Sequence, residues 1–229
     1  IFDLKADRFH PQKKDRPLSA GLIKIKSALV FSFFLLSSSF LLAYRINTAV
    51  LIYISIYFAT NIVYSLYLKK IMIVDVLIIS SGFVIRVLCG GAASGIPISD
   101  WLLVCTGLLA MLLGFSKRQG EIYLLQNEAV DHRKNLGKYT LPFLDSLISI
   151  LSASSIISYT IYTVTGAKEP LKGKMLITVP FVIYGIFRYI YIINEKDPGI
   201  DPAEAAFKDP PLFAAVLLWI ISVIILLGL

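Results

Sequence analysis

Little in this chain is charged, and still less of it suits a soft metal ion. Of its 229 residues only 16% are Asp, Glu, Lys or Arg, and there are two cysteines and two histidines. Cys89 and Cys105 both fall inside apolar runs, where a thiol acts as a small packing residue, so neither a disulfide framework nor a thiolate metal site is expected. His10 and His132 are far apart, and His132 has no evident ligand beside it, so a histidine-based metal centre is not expected either. There is no glycine loop of the dinucleotide type, no Walker loop and no repeat of solenoid length. Soluble nucleotide-binding and repeat architectures are thereby set aside. What the chain does have is apolar surface: 57% of it is hydrophobic and the mean hydropathy is positive, far outside the balance of a soluble domain.

That composition is organised in long runs. A spanning helix needs ~20 mostly apolar residues. Seven segments qualify, at 28–44, 47–68, 71–91, 100–116, 141–165, 175–193 and 211–229. The expected fold is an all-α, polytopic membrane helix bundle forming a single domain over 1–229. If the spans alternate, one side of the bilayer receives 1–27, 69–70, 117–140 and 194–210, which hold most of the 22 Lys and Arg. The other side receives only Arg45, Lys168, Lys172 and Lys174. Basic loops stay on the cytoplasmic side. The net charge of +7 is therefore read as an orientation signal with some affinity for anionic lipid. No basic folded domain is present to carry nucleic acid, so none is expected as a partner.

The three longest polar loops thus share the cytoplasmic face, and the first carries the densest chemistry. Asp3 and Asp7 are four residues apart, which on a helix puts both on one face. They suit a hard cation such as Mg²⁺, which bridges one or two carboxylates to substrate phosphates. Arg8, His10, Lys13, Lys14 and Arg16 follow, and cations of this kind suit phosphate oxygens. The plain alternative is an acidic pair in a solvated loop, neutralised by Lys5 and Arg8. A second cluster, Lys117, Arg118 and Glu121, follows the fourth span. Lys117 and Glu121 are an i, i+4 pair, and the bland reading is a helix end with snorkelling cations. The segment 131–139 is basic and reads as a solvated loop. Within the third span, Asp75 and Arg86 are eleven residues apart, so they share a face about 16 Å apart. Ionisable groups in a bilayer normally face a cavity, and Arg86 is the deeper one; Asp75 could be interfacial. Arg188, near a span end, is expected to snorkel. Asp15 and Asp145 read as structural. Tyr57, Tyr64 and Tyr67 read as packing or interfacial residues, with Tyr64 able to face a cavity.

The first loop resembles the aspartate-rich motif Asn-Asp-x-x-Asp-x-x-x-Asp of the UbiA superfamily of intramembrane prenyltransferases, with Asp3 and Asp7 on its last two aspartates. The resemblance implies nine helices, so the chain, which begins with Ile, is expected to lack the first two. Within the superfamily the sequence is most similar to the decaprenyl-phosphate phosphoribosyltransferase branch. His10, Pro11, Lys13, Lys14, Arg16 and Pro17 match its His-Pro-x-Lys-[Arg/Lys]-x-Arg-Pro stretch. Phe115, Lys117, Arg118 and Glu121 match its Phe-x-Lys-Arg-x-x-Glu-like motif. Arg86 with its following small residues, and Pro202, Glu204 and Asp209, also look similar. Members that use a prenyl diphosphate donor carry a second Asp-x-x-x-Asp, and none occurs at 117–127.

The resemblance implies a Mg²⁺-dependent transfer of phosphoribose from 5-phosphoribosyl 1-diphosphate to a polyprenyl phosphate in the bilayer. Asp3 and Asp7 would be the metal-binding and catalytic carboxylates. Arg8, His10, Lys13, Lys14, Arg16, Arg86, Lys117, Arg118 and Glu121 would bind substrate, with Glu121 orienting Lys117 or accepting a ribose hydroxyl. The expected location is a bacterial inner membrane with the site facing the cytoplasm, and cell-wall arabinan synthesis is the associated role. Two alternatives remain at this stage: transfer of a prenyl group from prenyl diphosphate to an aromatic or lipid acceptor, and a non-enzymatic membrane transporter, for which broken helices in matching halves would be the signature.

Overall fold

The computed structural model describes residues 15–125, 136–166 and 173–227, together with Leu4. Among the described residues every regular element is helical, as the long apolar runs predict. The helices are α1 (Ile25–Ile46), α2 (Thr48–Leu66), α3 (Val74–Ser94), α4 (Asp100–Leu125), α5 (Leu141–Ile161), α6 (Val179–Tyr191), α7 (Pro202–Lys208) and α8 (Pro210–Leu227). Six helical segments are long and apolar enough to cross a membrane. The pair Pro202–Lys208 and Pro210–Leu226, bent by 90°, makes a seventh if counted as one span. The chain divides into two compact units. The first holds the described residues up to Ile78, Ile85–Pro97 and Leu136–Lys138; the second holds Ile79–Val84, the described residues from Ile98 to Leu125, and those from Tyr139 onward.

In the first unit, α1 and α2 form a helical hairpin joined by one residue. Asn47 takes an extended backbone, its side-chain oxygen accepts from the Val50 N–H at 2.8 Å, and its amide donates to the Ala92 carbonyl at 2.8 Å. One residue thus ends α1 through its backbone, and its side chain caps α2 and ties the hairpin to the end of α3. Phe40 and Phe58 meet edge to face at 6.1 Å. α1 buries only Ala43 among its described side chains, leaving Phe31, Phe33 and Phe34 exposed, the surface of a helix solvated by lipid.

The third span begins at Val74 rather than at 71. Ile73 sits at φ +69°, a left-handed conformation costly for a β-branched residue, and it breaks the run just before α3. The helix ends in a left-handed Gly95 whose N–H returns to the Gly91 carbonyl, as glycine permits at a helix C-terminus.

In the second unit, α5 packs along α4 and α6 along α8. The fully buried Leu112, Leu144 and Ile192 lie at its core, and Phe115 meets Tyr139 edge to face at 6.3 Å. The Tyr159 hydroxyl shares a 2.7 Å bond with Thr178 Oγ1 and accepts from Trp219 Nε1 at 2.7 Å, so α5, the entry to α6 and α8 meet at one oxygen. α4 is the longest helix among the described residues, with 26 residues. At 1.5 Å per residue it is about 39 Å long, against a hydrocarbon core of ~30 Å, so it is long enough to carry its polar last turns past the apolar layer. Residues 117–125 are therefore helix and not the start of a loop, because Lys, Arg, Gln and Glu all favour helix and α5 supports them. The expected loop at 194–210 is likewise structured: a π-turn at Ile192–Lys196, then α7.

Candidate functional site

Of the residues singled out by sequence, Asp3, Asp7, Arg8, His10, Lys13 and Lys14 lie outside the described residues, as do Asp131 and His132. Arg16 is exposed. Among the described residues, no three of His, Cys, Asp and Glu gather where a metal ion would need them. The described chemistry lies at two places, one in each unit.

In the second unit, the last turns of α4 present three consecutive polar side chains in three directions, as 100° per residue requires. Lys117 points outward. Its ammonium bonds Asp201 Oδ2 at 2.5 Å, with the two side chains 48% and 40% exposed. Arg118 is buried and bonds Glu121 Oε2 at 2.7 Å, with exposures of 4% and 11%. Gln119 is buried and donates through Nε2 to Asp145 Oδ1 at 2.6 Å and to Asn194 Oδ1 at 3.0 Å. This corrects the expected Lys117–Glu121 pair. Glu121 orients Arg118 instead, because a buried guanidinium demands a carboxylate, while the exposed ammonium turns to the neighbouring loop.

That loop is held by close approach. A Cβ on Gly120 would meet Gly199 Cα at 3.1 Å, so the helix and the loop backbone touch where neither has a side chain. Gly199 itself sits at φ +109°, a conformation open to glycine. Two residues on, Asp201 caps α7 by accepting from the Ala203 N–H at 3.0 Å, with Pro202 in the first helical turn. Burial alone would raise the Asp201 carboxyl. The hydrogen bonds from Lys117 and from the Ala203 N–H, with the Lys117 charge, outweigh that and hold it below the ordinary aspartate range.

Asp209 anchors the next bend. Nearly fully buried, it accepts from Arg188 Nε at 3.0 Å and Nη2 at 2.9 Å and from Lys196 Nζ at 2.5 Å, and it caps α8 through the Leu212 N–H at 3.0 Å. Arg188 therefore does not snorkel; it makes a two-pronged pair, the geometry a planar guanidinium favours.

In the first unit, Arg86 donates to the Tyr57 hydroxyl, and its guanidinium lies 5.0 Å from the centre of that ring. Tyr57 is thus more than packing. Asp75, in the first turn of α3, is fully buried. Cys89 and Cys105 are free thiols.

Residues 1–207 match the description of the UbiA prenyltransferase family. The chain belongs to that family. Among curated relatives, the decaprenyl-phosphate phosphoribosyltransferase of Mycolicibacterium smegmatis is 29% identical over 95% of this chain and 71% of its own length. The protein of the same name from Corynebacterium glutamicum is 28% identical over 97% of this chain and 68% of its own length. The solved structure of a UbiA homologue from Archaeoglobus fulgidus bound to GPP and Mg²⁺ superposes with a TM-score of 0.73 at 19% identity, covering all of this chain and 80% of that one. The UbiA membrane fold, an integral membrane location and a transferase of this family follow together.

Several partners within the UbiA chain escaped the sequence reading. Asp201 carried a signal, since Asp followed by Pro marks a helix start. Gln119 and Asn194 carried none, and Tyr57 was read as packing or interfacial, because an amide or phenol on an apolar helix shows its partner only after packing.

Proposed function

We propose that this protein transfers the 5-phosphoribosyl group of 5-phosphoribosyl 1-diphosphate to a polyprenyl phosphate, releasing diphosphate, at a site facing the cytoplasm of a bacterial inner membrane. The bond from ribose C1 to the diphosphate oxygen breaks, and a bond from C1 to an oxygen of the lipid phosphate forms. The observation that carries the reading is the pair of cations at the end of α4. Lys117 stands exposed there, paired with Asp201, beside the buried Arg118–Glu121 pair, where an enzyme using prenyl diphosphate would carry a second pair of aspartates. A reaction joining three phosphate-bearing groups calls for cations at that place. The relatives at 27–29% identity named decaprenyl-phosphate phosphoribosyltransferase support the same reading.

Lys117 would contact a phosphate oxygen of donor or acceptor. Glu121 would fix Arg118, so that its guanidinium stays charged and oriented. Arg86, steadied by Tyr57, and Arg8, His10, Lys13, Lys14 and Arg16 would bind further anionic groups. Asp3 and Asp7 would hold Mg²⁺, for which two carboxylates are a fitting hard donor set; bound there, the ion would supply charge neutralisation for departing diphosphate. The acceptor oxygen is already anionic, so positioning and electrostatics suffice without a strong general base.

The test is transfer of label. Radiolabelled 5-phosphoribosyl 1-diphosphate, Mg²⁺ and polyprenyl phosphate are given to the full-length protein in membranes, with Asp7→Ala alongside. The reading requires label in the organic phase with wild type and its loss in the variant. The second reading, prenyl transfer, is favoured by the GPP and DMAPP bound to the A. fulgidus homologue. It requires consumption of prenyl diphosphate and no lipid label.

A further inference from the structure

The Lys117–Asp201 pair joins two separate elements with both side chains substantially exposed, whereas the more exposed Lys208–Glu204 pair lies within α7. Arg118–Glu121 is buried, and Asp209 is buried beneath its two cations. Burial makes such pairs permanent parts of the fold, since separating them strands a charge away from water. Lys117 and Asp201, by contrast, are both substantially exposed, and an exposed pair is weak enough to be exchanged for another partner. Asp201 is also held independently of Lys117. The Gly120–Gly199 contact sets the loop against α4, and the Ala203 N–H fixes the carboxylate as the cap of α7. The carboxylate is therefore presented to Lys117 by the backbone and does not follow it.

We propose that Asp201 is a positioning residue that occupies Lys117 in the absence of substrate and yields it to a phosphate oxygen when a diphosphate-bearing ligand binds. A carboxylate and a phosphate offer an ammonium the same interaction, an anionic oxygen at hydrogen-bond distance, so they compete for one cation. The exchange has two effects. With no ligand, the pair holds the Lys117 ammonium in one place, which lowers the ordering cost of binding. That hold also sets an affinity threshold, because a ligand must displace the carboxylate, so weaker anions are rejected. Asp201 thus tunes affinity for phosphate groups without touching the reacting carbon. The inference rests on the reading of Lys117 as a phosphate contact.

Inorganic diphosphate is the probe, titrated calorimetrically into the full-length protein in lipid nanodiscs at constant Mg²⁺. Asp201→Asn keeps the helix cap, since Asn caps as well as Asp, and removes the competing charge. The expected result is about two- to fivefold tighter diphosphate binding, the range an exposed pair allows. Asp201→Ser, also a good cap, should behave alike, and the gain should vanish in a Lys117→Ala background. Unchanged or weaker binding by both Asp201 variants, with Lys117→Ala still impairing binding, overturns the exchange and leaves the phosphate contact standing. Diphosphate binding indifferent to Lys117→Ala overturns both. Neither outcome depends on which group is transferred.

Discussion

At the scale of single residues, two neighbouring cations on α4 are expected to behave oppositely. Arg118 and Glu121 are buried together, and removing one member of a buried ion pair costs ~3–5 kcal/mol. Lys117 and Asp201 are half exposed, and such a pair contributes about 0.2–1 kcal/mol. Glu121→Ala should therefore lower the melting temperature of the protein in nanodiscs clearly, while Lys117→Ala leaves it nearly unchanged but impairs activity. A reversed order would mean that Glu121 serves substrate and not Arg118. The Asp201 carboxyl also has a pH signature. Its pKa is lowered from 3.8 in the folded protein, so the unfolded chain takes up a proton first as pH falls. The stabilisation is whole above the ordinary aspartate value and is lost as pH drops through the lowered one. The melting-temperature difference between wild type and Asp201→Asn should stay flat from neutral pH to about 5 and close below about 4.

At the scale of elements, the joints matter more than the helices. Asn47 performs three tasks at the α1–α2 junction. Asn47→Ala removes a cap worth about 1 kcal/mol and a bond to the Ala92 carbonyl of similar size. Protease sensitivity around residue 47 should rise; an unaltered digestion pattern would show that lipid contact alone holds the hairpin. Gly120 is the corresponding point on α4. A valine there drives its side chain into Gly199, and overpacking of this kind costs ~1–3 kcal/mol. Gly120→Val should displace the loop carrying Asp201, so its effect on diphosphate affinity should not add to that of Asp201→Asn. Much of this level was legible in advance. Apolar runs of sufficient length marked the spans. The extension of α4 to Leu125 was not, because polar residues past the hydrocarbon read equally as loop until α5 is seen beside them.

At the scale of the whole molecule, charge asymmetry sets the expected orientation. The segment Lys174–Lys196 spans with Lys174 at one end and Glu195 at the other. Cysteines placed at these two exposed positions should react with a membrane-impermeant thiol reagent from opposite sides, position 195 only after the cytoplasmic face is opened. Labelling of position 195 alone in intact cells would reverse the assignment and move the proposed site with it, and labelling of both would show that this segment does not cross.

Composition and the length of the apolar runs by themselves determined the class of this protein, its helical architecture and its membrane location, because the bilayer admits few ways to satisfy a backbone. Short-range spacing also singled out the acidic loop and the cations of α4 as candidates for chemistry. Only tertiary structure decided which charge meets which. Lys117 was equally close in sequence to Glu121, yet it bonds a carboxylate 84 positions away, and Arg188 and Lys196 converge on Asp209. The reason is burial. Helical spacing offers several partners of similar geometry, and the one adopted depends on which side chains packing withdraws from water, a property of the assembled helices and of no single segment.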